Sequence, residues 1–167
     1  MLSVRKALNS TVGKKYLMAM TGIALVGFLV AHLAGNLLLY LPDGSLFNQY
    51  AYGLEKLGPL LYVAELGLLG LFVVHILIGV GVTLANKAAR PTAYAVSKSK
   101  GEPSKAGFSS GYMIVTGSVL GIFLVLHLIH FKFGESYTTF LEETQVRDLH
   151  RLVIEEFQRP ELSLIHI

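Results

Sequence analysis

Histidine is the only strong nitrogen ligand this chain offers, and four of its six histidines, His32, His75, His127 and His130, sit inside long apolar runs, one or more in each of three. His32, His75 and His127 each interrupt a stretch built mainly of Leu, Val, Ile, Ala, Gly and Phe. A histidine within a hydrocarbon-length helix is a functional hypothesis in itself, because burying a polar ring in lipid costs free energy unless it has a partner. The chain has no cysteine. Disulfides, thiolate zinc sites and protein-ligated iron–sulfur clusters are therefore excluded within it. One acid, Glu65, shares an apolar run with His75. An intramembrane carboxylate can relay protons or contact a polar ligand, or it can reach the interface and do nothing chemical.

The elements that must position these residues are three apolar spans. The first, Tyr16 to Leu41, contains no Asp, Glu, Lys or Arg and is about as long as a bilayer-spanning helix needs to be. The second runs from about Leu60 to Leu84 and the third from about Tyr112 to Phe133, where His130 follows His127. The chain is 53% hydrophobic and only 15% charged, and its apolar residues are bunched, not spread at core periodicity. The expected fold class is all-α, an integral membrane helical bundle. The first run is too long for a signal-peptide core and has no small-residue cleavage site after it, so it reads as a retained span.

Between the spans, loop one (Pro42 to about Pro59) carries turn chemistry at Pro42-Asp43-Gly44 and a surface helix around Phe47 to Lys56. Loop two, Asn86 to Gly111, is rich in Ser, Gly, Pro and Lys and is expected to be loosely ordered. After the third span, Thr138 to Gln158 reads as an amphipathic interfacial helix, with Thr139 and Glu142 at capping-box spacing. His150 lies on that charged tail and is expected to be solvated.

Charge orients the spans. The N-terminal segment (Arg5, Lys6, Lys14, Lys15) and loop two (Lys87, Arg90, Lys98, Lys100, Lys105) hold nine of the fourteen Lys and Arg. By the positive-inside rule, both are cytoplasmic, and loop one and the tail are outside. The net charge of +3 reads as membrane topology, not as a nucleic-acid surface. Lys14, Lys15 and Arg90 sit at the cytoplasmic boundary, where they set topology, pair with the carboxylates of a cofactor or dock a partner subunit.

At 1.5 Å per helical residue, His32 lies roughly 24 Å from the cytoplasmic start of its span and His127 about 22 Å from the start of its own. His75, on the descending span, lies roughly 15 Å from the cytoplasmic side. Two histidines at one depth on neighbouring helices can clamp one metal centre. With no cysteine and no carboxylate at that depth, haem with two axial histidines is the natural candidate. Gly35, Gly79 and Gly121 lie near the histidines, and Phe28, Phe72, Phe123 and Phe131 could wall a flat macrocycle. Ordinary helix packing explains the glycines equally well, including the Gly117–Gly121 GxxxG pair. His75 has no depth-matched partner, so it is either a lone satisfied histidine or faces a helix outside this sequence.

Several stretches resemble one family. GKKYLMAMTG (Gly13–Gly22) followed by FLVAHLAGNLLLY (Phe28–Tyr40) resembles the first span of the dihaem cytochrome b membrane anchor of succinate dehydrogenase and fumarate reductase. ELGLLGLFVVHILIGV from Glu65, NKAARPTAY from Asn86, GIFLVLHLIHF from Gly121 and RLVIEEFQRP from Arg151 are similar to later parts of that family, in the same order. The resemblance covers Asn9 to Glu161. It implies a five-span protein of which three spans are present here, with two b haems. His32 and His127 would ligate the distal haem. His75 would supply one ligand of the proximal haem, with its partner on an absent fourth span. His130, about 4.5 Å further out than His127, resembles a non-ligand position and is the alternative ligand. The resemblance further implies an iron–sulfur subunit and a flavoprotein subunit as partners. It implies quinone as substrate, with menaquinone expected, and a bacterial cytoplasmic membrane location with a cytoplasmic N-terminus. The chain itself would not act on succinate.

Residues 1–161 read as one cytochrome b membrane domain. The last six, Leu162 to Ile167, resemble a translated transposase adaptor and are expected to be non-native, His166 included. Two rival functions stay open: a dihaem anchor of another respiratory complex such as a hydrogenase or formate dehydrogenase, and a haem-free membrane scaffold or transporter whose histidines pack or relay protons.

Overall fold

A computed structural model describes residues 3–89, 92, 101 and 111–166. Helix α1 (Val4–Asn9) is capped by Ser3, and Ser10 then ends α1 and starts α2 (Thr11–Asn36). The Ser10 hydroxyl donates to the Ala7 carbonyl at 2.6 Å and accepts from the Gly13 N–H at 3.0 Å. One serine thus satisfies an orphan carbonyl of one helix and an orphan N–H of the next. This cap starts α2 five residues before the expected first span. A 3₁₀ turn, Leu37–Tyr40, extends it.

Loop one follows the reading of its sequence. Asp43 and Gly44 both take positive φ, 66° and 70°, and the Asp43 carboxylate accepts from the Ser45 N–H at 2.8 Å. That Asx-type bond makes the turn. Helix α3 (Ser45–Glu55) follows, burying Phe47 and Asn48. Helix α4 (Pro59–Ala88) is the second long apolar helix. The third is α5 (Met113–His127), continued by one π-helical turn at Leu128–Lys132. Three helical stretches, Thr11–Tyr40, Pro59–Ala88 and Met113–Lys132, are long and apolar enough to cross a membrane, and almost none of their described residues is buried.

The segment after the third long helix departs from expectation. In place of one helix from Thr138 to Gln158 it folds as an antiparallel hairpin and then a shorter helix. Strand β1 (Thr138–Leu141) pairs with β2 (Thr144–Arg147), with Thr139 opposite Val146 and Leu141 opposite Thr144. Thr-Thr-Phe-Leu is β-branched and aromatic, which suits a pleated strand better than a helix. Glu142 takes φ 56° in the two-residue turn, so it cannot close a capping box with Thr139. The helix, α6 (Leu149–Phe157), starts at Asp148, whose side chain accepts from the Arg151 N–H at 3.0 Å. A last helix, α7 (Pro160–His166), carries Leu162 into a buried position.

The chain divides into two compact units. One comprises Met1–Ala24 and Gly70–Leu120, the other Leu25–Leu69 and Gly121–Ile167. In the second unit, Phe47, Val146, Leu152 and Leu162 form the apolar core, with Leu152 only 1% exposed. Asn48, itself 5% exposed, joins α3 to the start of α6. Its amide donates to Asp148 at 2.8 Å and its carbonyl accepts from the His150 N–H at 2.9 Å. His150 is accordingly not a freely solvated residue. Its ring lies against Gly44, where a Cβ would overlap it.

Candidate functional site

In the second unit, His32 from α2 and His127 from the last position of α5 come together. Their ring centroids are 5.8 Å apart and their planes cross at 84°. Aromatic rings frame the pair at helical spacing. Phe28 stacks on His32 at 5.3 Å, and Phe123 stacks on His127 at 5.6 Å, each four residues before its histidine. Phe131 packs against the other side of His127 at 5.1 Å and reaches Phe157 of α6 at 6.0 Å. Of the four phenylalanines proposed as a wall, Phe28, Phe123 and Phe131 surround this pair.

Two imidazoles bound to one iron, each about 2 Å from it, bring their ring centres roughly 6 Å apart. The separation of His32 and His127 matches that requirement, and the two rings arrive from different helices within an apolar, aromatic surround. These residues fit a bis-histidine haem. Among the described residues, no group of three or more His, Cys, Asp or Glu gathers to hold a bare metal ion.

In the first unit, His75 of α4 lies against α2. Its Nδ1 is 2.9 Å from the Thr21 hydroxyl. A Cβ on Gly22 would meet its Cε1 at 3.4 Å, and one on Gly79 would meet the Met18 methyl at 3.4 Å. Gly22 and Gly79 therefore serve close packing of α2 and α4. Gly35 serves a similar end in the second unit, where a Cβ would meet the Tyr50 ring at 2.6 Å. At Gly117 and Gly121, by contrast, no described atom lies within 4 Å of an added Cβ.

The π-helical turn begins immediately after His127, a placement common at functional sites. His130 lies within it and pairs with Glu156 of α6, Nδ1 to Oε2 at 3.0 Å. Glu156 is 7% exposed and also takes Arg159 at 3.3 Å. Arg147 of β2 donates to the carbonyls of Phe131 (3.3 Å) and Glu135 (3.4 Å), satisfying acceptors left at the end of the third long helix.

Glu65 forms an ion pair with Lys132, with both side chains partly exposed. Sequence reading missed Lys132 as its partner; Glu65 lies near the start of α4 and Lys132 at the end of the third long helix. Thr21, Glu156 and Arg147 were also missed. Each is an ordinary polar residue whose role depends on what a distant element brings beside it. Lys14 and Lys15 occupy the first turn of α2. Arg90 lies outside the described residues.

Beyond the long helices, Glu155 sits between Tyr137 and Arg151. Hydrogen bonds from Tyr137 and then Arg151 hold its carboxyl below the usual range. Arg151 bonds Glu155 at 2.7 Å and covers the Tyr137 ring at 4.2 Å. The chain matches no protein-family model, no curated protein and no solved structure.

Proposed function

We propose that this chain is a membrane-anchored electron-transfer subunit of the dihaem cytochrome b type. On this reading it serves a succinate dehydrogenase or fumarate reductase and passes electrons between an iron–sulfur subunit and quinone. The observation that carries the reading is the meeting of His32 and His127 at 5.8 Å from two separate apolar helices. The depths expected from the sequence put both at one level, and aromatic rings flank both.

Placement in a bilayer is supported by the three long helices, whose apolar side chains are left largely unburied. Contiguous apolar surface of that extent is unfavourable in water and favourable in lipid. The basic N-terminal segment supports a cytoplasmic N-terminus, and the resemblance a bacterial inner membrane.

Haem bound here would supply a one-electron couple whose potential follows its ligands and surroundings. The chain's own residues would do the rest. His32 and His127 would offer one nitrogen each from opposing helices. Phe28, Phe123 and Phe131 would exclude water and keep the site in low dielectric. His75 would offer a ligand nitrogen at the inner level. His130, engaged with Glu156, is held away from the ligand role. Glu65 and Lys132 would neutralise one another near the outer ends of their helices.

The deciding measurement is a reduced-minus-oxidised absorption spectrum of the protein purified from membranes with its partner subunits. A b-type spectrum, and co-purification of a flavoprotein and an iron–sulfur protein, are expected. Absence of b-type absorption would overturn the haem reading and favour a haem-free scaffold. A b-type spectrum with hydrogenase or formate dehydrogenase partners would keep the haems and change the complex.

A further inference from the structure

The polar contact between α2 and α4 in the first unit determines which nitrogen of His75 is available. Thr21 is 6% exposed, so its hydroxyl has almost no access to solvent. Its Oγ1 lies 2.8 Å from the Leu17 carbonyl oxygen and 3.1 Å from that of Met18. It also lies 2.9 Å from Nδ1 of His75. Two oxygens held at hydrogen-bonding distance need a proton between them, and so do the hydroxyl oxygen and the ring nitrogen. A carbonyl can only accept, and a threonine hydroxyl has one proton. That proton goes to the backbone carbonyls. The proton between Thr21 and His75 must then come from the imidazole.

We infer that Thr21 is a positioning residue for His75, holding the neutral ring as the Nδ1–H tautomer with the lone pair on Nε2. Gly22 packs against the same ring, whose Cε1 lies 3.4 Å from where a Cβ at that position would stand. An imidazole that donates through Nδ1 is a stronger donor at Nε2, and the oriented tautomer is the form that ligates a metal. The link to a metal rests on the proposed function; the tautomer does not. In the haem reading, Thr21 sets the orientation of the inner-level ligand and lowers the potential of its haem by favouring the ferric state.

The test compares the wild-type protein with Thr21→Val and Thr21→Ser. Valine keeps the volume and removes the hydroxyl; serine keeps the hydroxyl. Where b-type absorption is present, the readout is the midpoint potential of the haem signal that His75→Ala removes. Thr21→Val should raise it, with a tenfold loss of ferric preference corresponding to about 59 mV for one electron. Thr21→Ser should restore the wild-type value. An unmoved potential in Thr21→Val would overturn the role of Thr21 while leaving the haem reading standing.

Where b-type absorption is absent, nitrogen NMR of histidine-labelled protein reads the tautomer directly. The Nδ1–H form in wild type and Thr21→Ser, reduced roughly tenfold in Thr21→Val, would support the inference even as the haem reading fails. An Nε2–H form in the wild type would overturn it.

Discussion

The rings of His32 and His127 come together with their centroids 5.8 Å apart and their planes at 84°, although 95 positions separate them in the chain. Under the proposed function, His32→Ala and His127→Ala each abolish the same b-type signal in a redox-resolved spectrum, and His75→Ala abolishes a different one. Loss of distinct signals on replacing His32 and His127 would separate the two residues into different sites.

Asn48 is a buried polar residue that makes two bonds to the start of α6. Removing it takes one donor from the half-buried Asp148, which keeps the Arg151 N–H, and leaves the His150 N–H without its acceptor. Asn48→Ala should cost about 2 kcal/mol in thermal unfolding, with faster proteolysis between the hairpin and α6. Asn48→Asp should be worse than alanine, because it sets a second carboxylate against Asp148.

Two glycines should respond differently to alanine. At Gly44 the backbone is left-handed, φ 70°, and the His150 ring occupies the Cβ position. Gly44→Ala should cost roughly 1–2 kcal/mol from the backbone alone, plus displacement of the ring. Adding His150→Ala should recover only the second part. Gly35→Ala meets the outer atoms of the Tyr50 ring, which is exposed and can swing away. Its cost in the same melt should be smaller.

Glu155 gives an acid-side dependence. Its carboxyl is depressed in the folded protein by Tyr137 and Arg151. Its contribution is therefore present above the unfolded value, about 4.3, and is lost as pH falls through the folded value. Thermal midpoints of the wild type should fall over that acid window more than those of Glu155→Gln. Parallel pH profiles for the two proteins would remove Glu155 from the account.

The three long apolar helices, the position of each histidine along them and the turn at Asp43-Gly44 are all determined by the sequence alone. Each is a local property: apolar length, residue count from a helix end, and backbone preference at a turn. Depth along a helix is legible because the rise per residue is constant. The direction in which a side chain faces is not, because each residue also rotates about 100° around the axis and the neighbour's rotation is unknown.

The tertiary structure decided which groups meet. It set His127 facing His32 while His130 turns to Glu156, Thr21 beneath His75, and Lys132 beside Glu65. The hairpin at Thr138–Arg147 was decided the same way. Its amphipathic pattern also suits a helix, and strand pairing with burial of Val146 tips a balance that local propensity leaves nearly even.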